Sequence, residues 1–165
     1  VHDGIDLLRR CRGGSPPTLS GRVGVIGGGD VAMDCARTAK RLVGSSGSVE
    51  VLYRRTRGEM PAHPEEIAAL DDEEIAVVPL VSPHRVVLEG GKVVALEVKR
   101  MKLGEPDASG RRRPVDTGVV DRLPLDHLII AIGQRPDMSL VAGQVIDLNG
   151  KGYIDVGANF ETSPP

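Results

Sequence analysis

The chain has 165 residues, of which 40% are apolar and only 2% aromatic, and its formal net charge at pH 7 is −2. This length fits one domain, and its core must be built from Val, Ile, Leu and Ala, which suits a parallel sheet covered by helices. The small negative charge excludes a general attraction to nucleic acid or to an anionic membrane surface, so any positive site must be local.

The cellular setting is predicted from what the sequence lacks. No apolar run approaches the roughly 18 residues of a membrane span, and no signal peptide opens the chain. Cys11 and Cys35 form neither a CxxC motif nor a metal-ligand pattern, which favours free thiols in a reducing compartment. We therefore expect a cytoplasmic protein without membrane or nucleic-acid partners. Because the chain begins with Val rather than Met, we interpret residues 1–165 as a single domain that is a fragment of a larger protein.

The first half of the chain predicts alternating helices and strands. We expect residues 1–11 to form a short amphipathic helix that ends at two glycines, and residues 23–26 to form a buried parallel strand. The helix that follows has small side chains at helical spacing on one face, which allows it to lie close to a sheet. These side chains are Ala32, Cys35, Ala36, Ala39 and Val43. A second strand ends near residue 53.

The turn between the first buried strand and its helix has the pattern G-x-G-x-x-A. Gly27 permits a tight turn, Gly29 lets the backbone approach a pyrophosphate, and Ala32 permits close packing of the helix. The amides and dipole of the helix start attract phosphates. Between a strand and a helix, the pattern predicts dinucleotide binding rather than a merely structural glycine turn. The predicted binding residues are Gly27, Gly28, Gly29, Asp30, Val31 and Ala32.

The end of the second strand indicates which dinucleotide binds. An NAD enzyme places Asp or Glu there to hold the ribose 2′-hydroxyl, whereas this chain continues with arginines. Guanidinium groups can bind a 2′-phosphate in bidentate fashion. We therefore predict NADP(H), with Arg54 and Arg55 as the first-choice ligands and Arg57 as a third. The alternative is a solvated basic loop.

Two residues near this site need separate interpretation. Asp30 suits the first turn of a helix but lies close to the expected pyrophosphate, so it must cap the helix or turn aside. His63 lies between two prolines at the start of another helix, which we expect to reach about residue 74. The imidazole of His63 could serve as a catalytic acid or base, but the sequence shows no partner residue for it. We therefore interpret His63 as a surface residue.

The second half of the chain changes pattern. After a third parallel strand at residues 75–80, strands are expected at residues 85–88, 93–103 and 115–123, forming an antiparallel meander. The arginine run at residues 111–113 is either solvated or contacts the nucleotide or an acidic partner. A last buried strand at residues 128–132 places Ala131, Ile132 and Gly133 beside the cofactor. A weak helix at residues 139–143 and a short strand at residues 153–156 complete the chain.

Together these elements predict an α/β fold. It is a Rossmann-like three-layer (β/β/α) dinucleotide-binding domain whose parallel sheet carries an inserted three-stranded antiparallel meander. No residue has the setting of a catalytic acid, base or nucleophile, and no group of residues has the spacing of metal ligands. We therefore predict neither a catalytic residue nor a metal site in this chain.

Four segments, at residues 27–37, 53–62, 110–114 and 131–134, resemble the NADPH-binding domain of the glutamate synthase small subunit. The small subunit belongs to a family of FAD-dependent pyridine nucleotide oxidoreductases. Related flavoproteins, including dihydropyrimidine dehydrogenase and ferredoxin-linked NADP oxidoreductases, share these motifs. The chain departs from the family pattern because Asp30 replaces the usual Asn. It also lacks a second glycine fingerprint for FAD and a cysteine cluster for iron-sulfur centres.

The resemblance implies a hydride relay. NADPH would bind over Gly27, Gly29 and Ala32, with its 2′-phosphate at Arg54 and Arg55, and would reduce FAD. Electrons would continue through iron-sulfur clusters to a large synthase subunit that makes glutamate. FAD and the clusters would belong to the full-length protein, so the partner of this chain would be the missing FAD domain, and the isolated domain would be inactive.

Two other classes of function remain as alternatives. One is a non-catalytic module that senses a dinucleotide. The other is a methyltransferase that uses a glycine loop to bind S-adenosylmethionine, although such a site requires an acid at the ribose, where this chain has Arg54.

Overall fold

The computed structural model describes residues 1–106, 110–133 and 136–162. It divides into two compact units, Val1–Ile132 and Gly133–Pro165. The first unit contains all the helices and strands named here, in the order β1 (His2–Asp3), α1 (Gly4–Arg12), β2 (Arg22–Ile26), α2 (Asp30–Val43), β3 (Ser48–Tyr53), α3 (Pro64–Asp72), β4 (Ala76–Pro79), β5 (Val81–Glu89), β6 (Lys92–Pro106), β7 (Arg112–Pro124) and β8 (His127–Ile130).

Five strands form a parallel sheet in the order β1-β8-β2-β3-β4. β2 lies at its centre, with the Val23 and Val25 side chains fully buried. The predicted face of α2 packs onto the same core, because all its small side chains are buried. Since a helix with small residues can approach a sheet closely, α2 brings its first turn next to the end of β2.

The remaining strands, β5, β6 and β7, form a separate antiparallel sheet in that order. It packs on the face of the parallel sheet opposite α2. Side chains alternate between the two faces of a strand, so Val51 contacts the helical side while Leu52 contacts the meander side. The three-layer arrangement with an inserted meander is therefore confirmed.

The structure differs from the predictions at the start of the chain. His2 and Asp3 form an edge strand parallel to β8, and α1 begins only after them, with the Asp3 carboxylate accepting a hydrogen bond of 3.0 Å from the Asp6 amide. A two-residue strand has no periodicity to detect, and its partner strand is more than 120 residues away. This is why the sequence predicted a helix from residue 1.

The second unit contains little regular structure among its described residues. Met138–Val141 form a 3-10 helix near the weak helix that was predicted. The strand predicted at residues 153–156 is wrong, because Ile154 makes only an isolated antiparallel bridge with Leu148. In the part of the chain that the structure describes, no helix is both long enough and apolar enough to cross a membrane.

The two cysteines are free thiols, as predicted, but their environments differ. Cys35 is fully buried under α1, its Sγ lies 3.5 Å from the Gly4 carbonyl oxygen, and burial raises the pKa of its thiol to about 12. Cys11 is half-exposed. Because the thiolate is the reactive form, a disulfide reagent at pH 8 should modify Cys11 alone in the folded chain and both thiols in denaturant. Rapid reaction of Cys35 in the folded chain would contradict this burial.

Candidate functional site

The glycine turn lies at the carboxyl end of β2, where it is closely surrounded. The Gly27 amide donates to the Leu52 carbonyl oxygen over 3.2 Å, and its φ of +150° is unfavourable for other residues. A Cβ on Gly27 would lie 2.5 Å from the Ala131 carbonyl oxygen and 2.8 Å from Cβ of Ala32. Three predicted site residues, Gly27, Ala32 and Ala131, are thus brought together at one edge of the sheet.

Gly28 is held by a residue that sequence reasoning missed. A Cβ at this position would lie 2.4 Å from a ring carbon of Tyr53, the last residue of β3. The Tyr53 hydroxyl donates to the Glu59 carbonyl oxygen over 2.9 Å, and the Ala62 amide donates to the Gly28 carbonyl oxygen over 3.1 Å. The only available signal was an aromatic residue at the end of the strand adjacent to the glycines. Tyr53 therefore fixes the shape of the turn from β3.

Unlike Gly27 and Gly28, Gly29 borders open space. It is the N-cap of α2 with an extended φ of −96°, no side-chain cap is present, and a Cβ built on it meets no atom within 4 Å. The first-turn amides of an α-helix have no carbonyl acceptor within the helix, so they can bind an anion. Uncrowded backbone beside these donors fits a pyrophosphate.

Asp30, the first residue of α2, is turned toward the segment before α3. Its two carboxylate oxygens lie 2.8 Å from the His63 amide nitrogen and 3.0 Å from His63 Nδ1. Hydrogen bonds from the backbone and then the ring of His63 lower the pKa of Asp30, and the bond to Asp30 raises the pKa of His63. The expectation that His63 lacks a partner is therefore wrong, although His63 is a surface residue with 76% of its side chain exposed.

The three predicted arginines have different surroundings. Arg54 is exposed and makes no hydrogen bond or ion pair with any residue in the described ranges. Arg55 is only 5% exposed, and its Nε donates to the Arg112 carbonyl oxygen over 2.7 Å, which ties the end of β3 to the meander. Arg57 binds both carboxylate oxygens of Asp71 at 2.8 and 2.6 Å. Their roles as 2′-phosphate ligands stay predictions.

A short 3-10 helix at Arg57–Glu59 follows these arginines. Thr56 and Glu59 form a capping box, in which the Glu59 carboxylate accepts a hydrogen bond from the Thr56 amide over 3.3 Å. Thr56 Oγ1 also donates to this carboxylate over 2.9 Å. The box shapes the basic turn, and Tyr53 holds its far end. The basic turn is therefore held by hydrogen bonds at both of its ends.

The residues after β8 border the glycine turn on the side away from β3. The Ala131 amide donates to the Ile26 carbonyl oxygen over 2.8 Å, and Ile132 is 61% exposed. Gly133 begins the second unit and has a φ of +80°, and its place beside a cofactor stays a prediction. Gln134 lies outside the described residues. Among those described, no group of three or more His, Cys, Asp or Glu side chains is placed to hold a metal ion.

A parallel sheet with helices on one face, an antiparallel meander on the other and a glycine turn at the carboxyl end of β2 defines a Rossmann-like dinucleotide-binding domain. Residues 1–165 match the pyridine nucleotide-disulphide oxidoreductase family over their whole length, and the chain belongs to this family.

Solved structures support the same fold. Mycobacterium tuberculosis FprA in complex with NADPH matches with a TM-score of 0.67 at 18% identity, over 86% of this chain and 46% of that one. Thioredoxin reductase from T. acidophilum matches with a TM-score of 0.62 at 20% identity, over 87% of this chain and 41% of that one. At these identities the likeness shows the fold alone.

Curated relatives are closer in sequence. The chain is 44% identical to the NADP(+)-dependent formate dehydrogenase subunit beta of Moorella thermoacetica, over 98% of this chain and 23% of that protein. It is 45% identical to the NADPH-Fe(3+) oxidoreductase subunit beta of Geobacter sulfurreducens, over 84% of this chain and 20% of that protein. It is 37% identical to the glutamate synthase [NADPH] small chain of Escherichia coli, over 87% of this chain and 32% of that protein.

The resemblance to the glutamate synthase small subunit and related oxidoreductases is therefore confirmed. The chain spans less than a third of the length of each of these three relatives. Whether it is one domain of a comparably larger protein stays a prediction.

Proposed function

We propose that this chain is the NADPH-binding domain of a flavin-dependent oxidoreductase. The observation that carries the proposal is the pairing of open backbone at Gly29 with the exposed Arg54 at the end of the neighbouring parallel strand. Because β2 and β3 are parallel and adjacent, their carboxyl ends lie at one edge of the sheet. A dinucleotide placed there can meet donors for its pyrophosphate and a guanidinium for its 2′-phosphate.

Individual residues would divide the binding of the nucleotide. Gly27 and Ala32 keep α2 close to the sheet, and the first-turn amides from Asp30 and Val31 aim at the pyrophosphate. Arg54 is the leading candidate for the 2′-phosphate because its side chain is exposed and unpaired with described residues. Arg55 and Arg57 remain candidates, although contacts with Arg112 and Asp71 already orient them.

NADPH supplies a hydride when it is bound, and the residues of this chain bind and orient it. No acid, base or nucleophile is required from the protein for hydride transfer between stacked rings. In the proposed whole protein, which we place in the cytoplasm, FAD is held by a further domain of the same chain and electrons pass on to iron-sulfur clusters. Neither group is bound by residues 1–165 in this proposal.

The electron acceptor is proposed from the resemblance. A route to glutamate through a large synthase subunit is supported by the shared motifs and by the relatives named as glutamate synthase small chains. The alternative is a related ferredoxin-linked or dihydropyrimidine dehydrogenase-like flavoprotein. The names of the other relatives, a formate dehydrogenase subunit and an NADPH-Fe(3+) oxidoreductase subunit, support such variety.

Calorimetric titration of the chain with NADPH and with NADH, at low and high salt, tests the cofactor. We expect NADPH to bind more tightly by about 1 to 3 kcal/mol, the strength of charge-assisted hydrogen bonds. The preference should shrink at high salt, since the 2′-phosphate contact is exposed to solvent. Equal affinities would contradict the choice of NADP(H), and absence of binding by both would contradict the proposed function. Competition by S-adenosylmethionine would favour the methyltransferase alternative.

A further inference from the structure

The first turn of α2 holds an acid where the proposed site needs positive charge. A carboxylate at a helix N-terminus stabilises the helix, but a bound pyrophosphate nearby is repelled by it. In the structure both oxygens of Asp30 are engaged by one residue, His63, through its backbone amide and its ring. His63 comes from the segment that also binds the glycine turn, since the Ala62 amide donates to the Gly28 carbonyl oxygen.

The charged groups around His63 all favour its protonated form. Asp30 faces it from α2, and Glu65 and Glu66 face it from α3. Glu66 is already paired with Arg37 at 2.8 Å, which leaves Asp30 as the dominant partner. His63 is also the N-cap of α3, whose dipole acts in the opposite direction. The net effect of these groups raises the pKa of His63 above its ordinary value.

We propose that His63 is a positioning residue for the pyrophosphate end of the site: it holds the Asp30 carboxylate toward the start of α3, and its protonation cancels the negative charge there. The inference rests on the proposed function, because it concerns binding of NADP(H) at the same turn. NADP(H) binding is thereby coupled to uptake of a proton by His63.

The sign of the pH dependence follows from this pair. Below the pKa of His63 the imidazolium and the carboxylate sum to zero charge, and above it the pair carries −1. The affinity for NADPH therefore falls as the pH rises through the pKa of His63. A bound pyrophosphate favours the imidazolium and raises the pKa of His63 further, so the nucleotide and the proton bind cooperatively.

The test is a pH series of calorimetric titrations with NADPH on the wild-type chain, Asp30→Asn and His63→Gln. For a single charge several ångströms from the phosphates in a solvated site, we expect wild-type affinity to fall by about 3- to 10-fold between pH 5.5 and 8.5, relative to His63→Gln. His63→Gln serves as the reference because it removes the titrating imidazole, while the 2′-phosphate, whose pKa is near 6, titrates equally in both chains. Asp30→Asn should bind NADPH more tightly than the wild type at pH 8.5, because it lacks the carboxylate charge at every pH. His63→Gln should bind with the weak, high-pH affinity throughout.

A second readout separates positioning from packing. Titrations at pH 7 in buffers of different ionisation enthalpy should reveal proton uptake on binding in the wild type and less uptake in His63→Gln. The inference is overturned if His63→Gln keeps the wild-type pH profile, or if Asp30→Asn binds NADPH no more tightly than the wild type at pH 8.5. Failure of all three chains to bind at any pH would instead overturn the proposed function.

Discussion

Replacing Arg54 with Glu is expected to abolish the preference of this chain for NADPH over NADH. Arg54 is exposed at the end of β3 and forms no ion pair with the residues that the structure describes, so its guanidinium is available to a ligand. A carboxylate there would repel a 2′-phosphate, while it could accept a hydrogen bond from the 2′-hydroxyl of NADH. NADPH affinity should fall by about 10- to 100-fold, the range for losing charge-assisted hydrogen bonds, with NADH affinity unchanged or higher.

The matched control for this variant is Arg12→Glu. Arg12 is also exposed, at the end of α1, so the net charge changes equally without altering the end of β3. Calorimetric titration with both nucleotides measures the two variants against the wild type. Equal losses of NADPH affinity in the two variants would mean that overall charge, and not a contact at residue 54, sets the preference. A wild-type preference in Arg54→Glu would remove Arg54 from the site.

A threonine in place of Gly29 should leave the chain folded while it weakens dinucleotide binding. Thr is about as good an N-cap as Gly, the backbone at this position is extended, and a Cβ meets no atom of the chain. The midpoint of thermal unfolding should therefore change by less than about 4 °C, the shift that 1 kcal/mol produces in a domain of this size. NADPH affinity should drop by about 10- to 100-fold, since the backbone can no longer approach the pyrophosphate.

Gly150→Thr is the control for Gly29→Thr. Gly150 lies in the second unit, has an ordinary φ and also has no atom within 4 Å of an added Cβ. Thermal unfolding and NADPH titration should both match the wild type in this variant. If Gly29→Thr binds NADPH as the wild type does, the pyrophosphate does not lie against Gly29. If it unfolds, the open space is needed by the chain itself.

Much of the fold could be predicted because its signals are local. The small face of α2, the apolar run of β2 and the glycine pair between β5 and β6 each report on their own segment. The parallel order of β2, β3 and β4 follows from the alternation of strands and helices. The glycine turn could be placed between a strand and a helix for the same reason, and its close contacts with Ala32 agree with that placement.

The structural features that the sequence did not predict depend on contacts between residues far apart in the chain. β1 exists only because β8 offers an edge for pairing, and nothing in residues 2–3 reports that edge. The Asp30–His63 pair joins residues 33 positions apart through the path of the segment before α3. Arg54 and Arg55 are identical and adjacent in sequence, and the buried one, Arg55, is bonded to Arg112 of the meander, 57 residues away.

The bond between Arg55 and the Arg112 carbonyl oxygen has a consequence for changing cofactor choice, whether by natural drift or by engineering. Replacing Arg54 affects only the binding of the nucleotide. Replacing Arg55 also weakens the contact between the two sheets. Variants that switch to NADH should therefore accumulate at position 54. Position 55 should accept new residues only together with compensating changes in the meander.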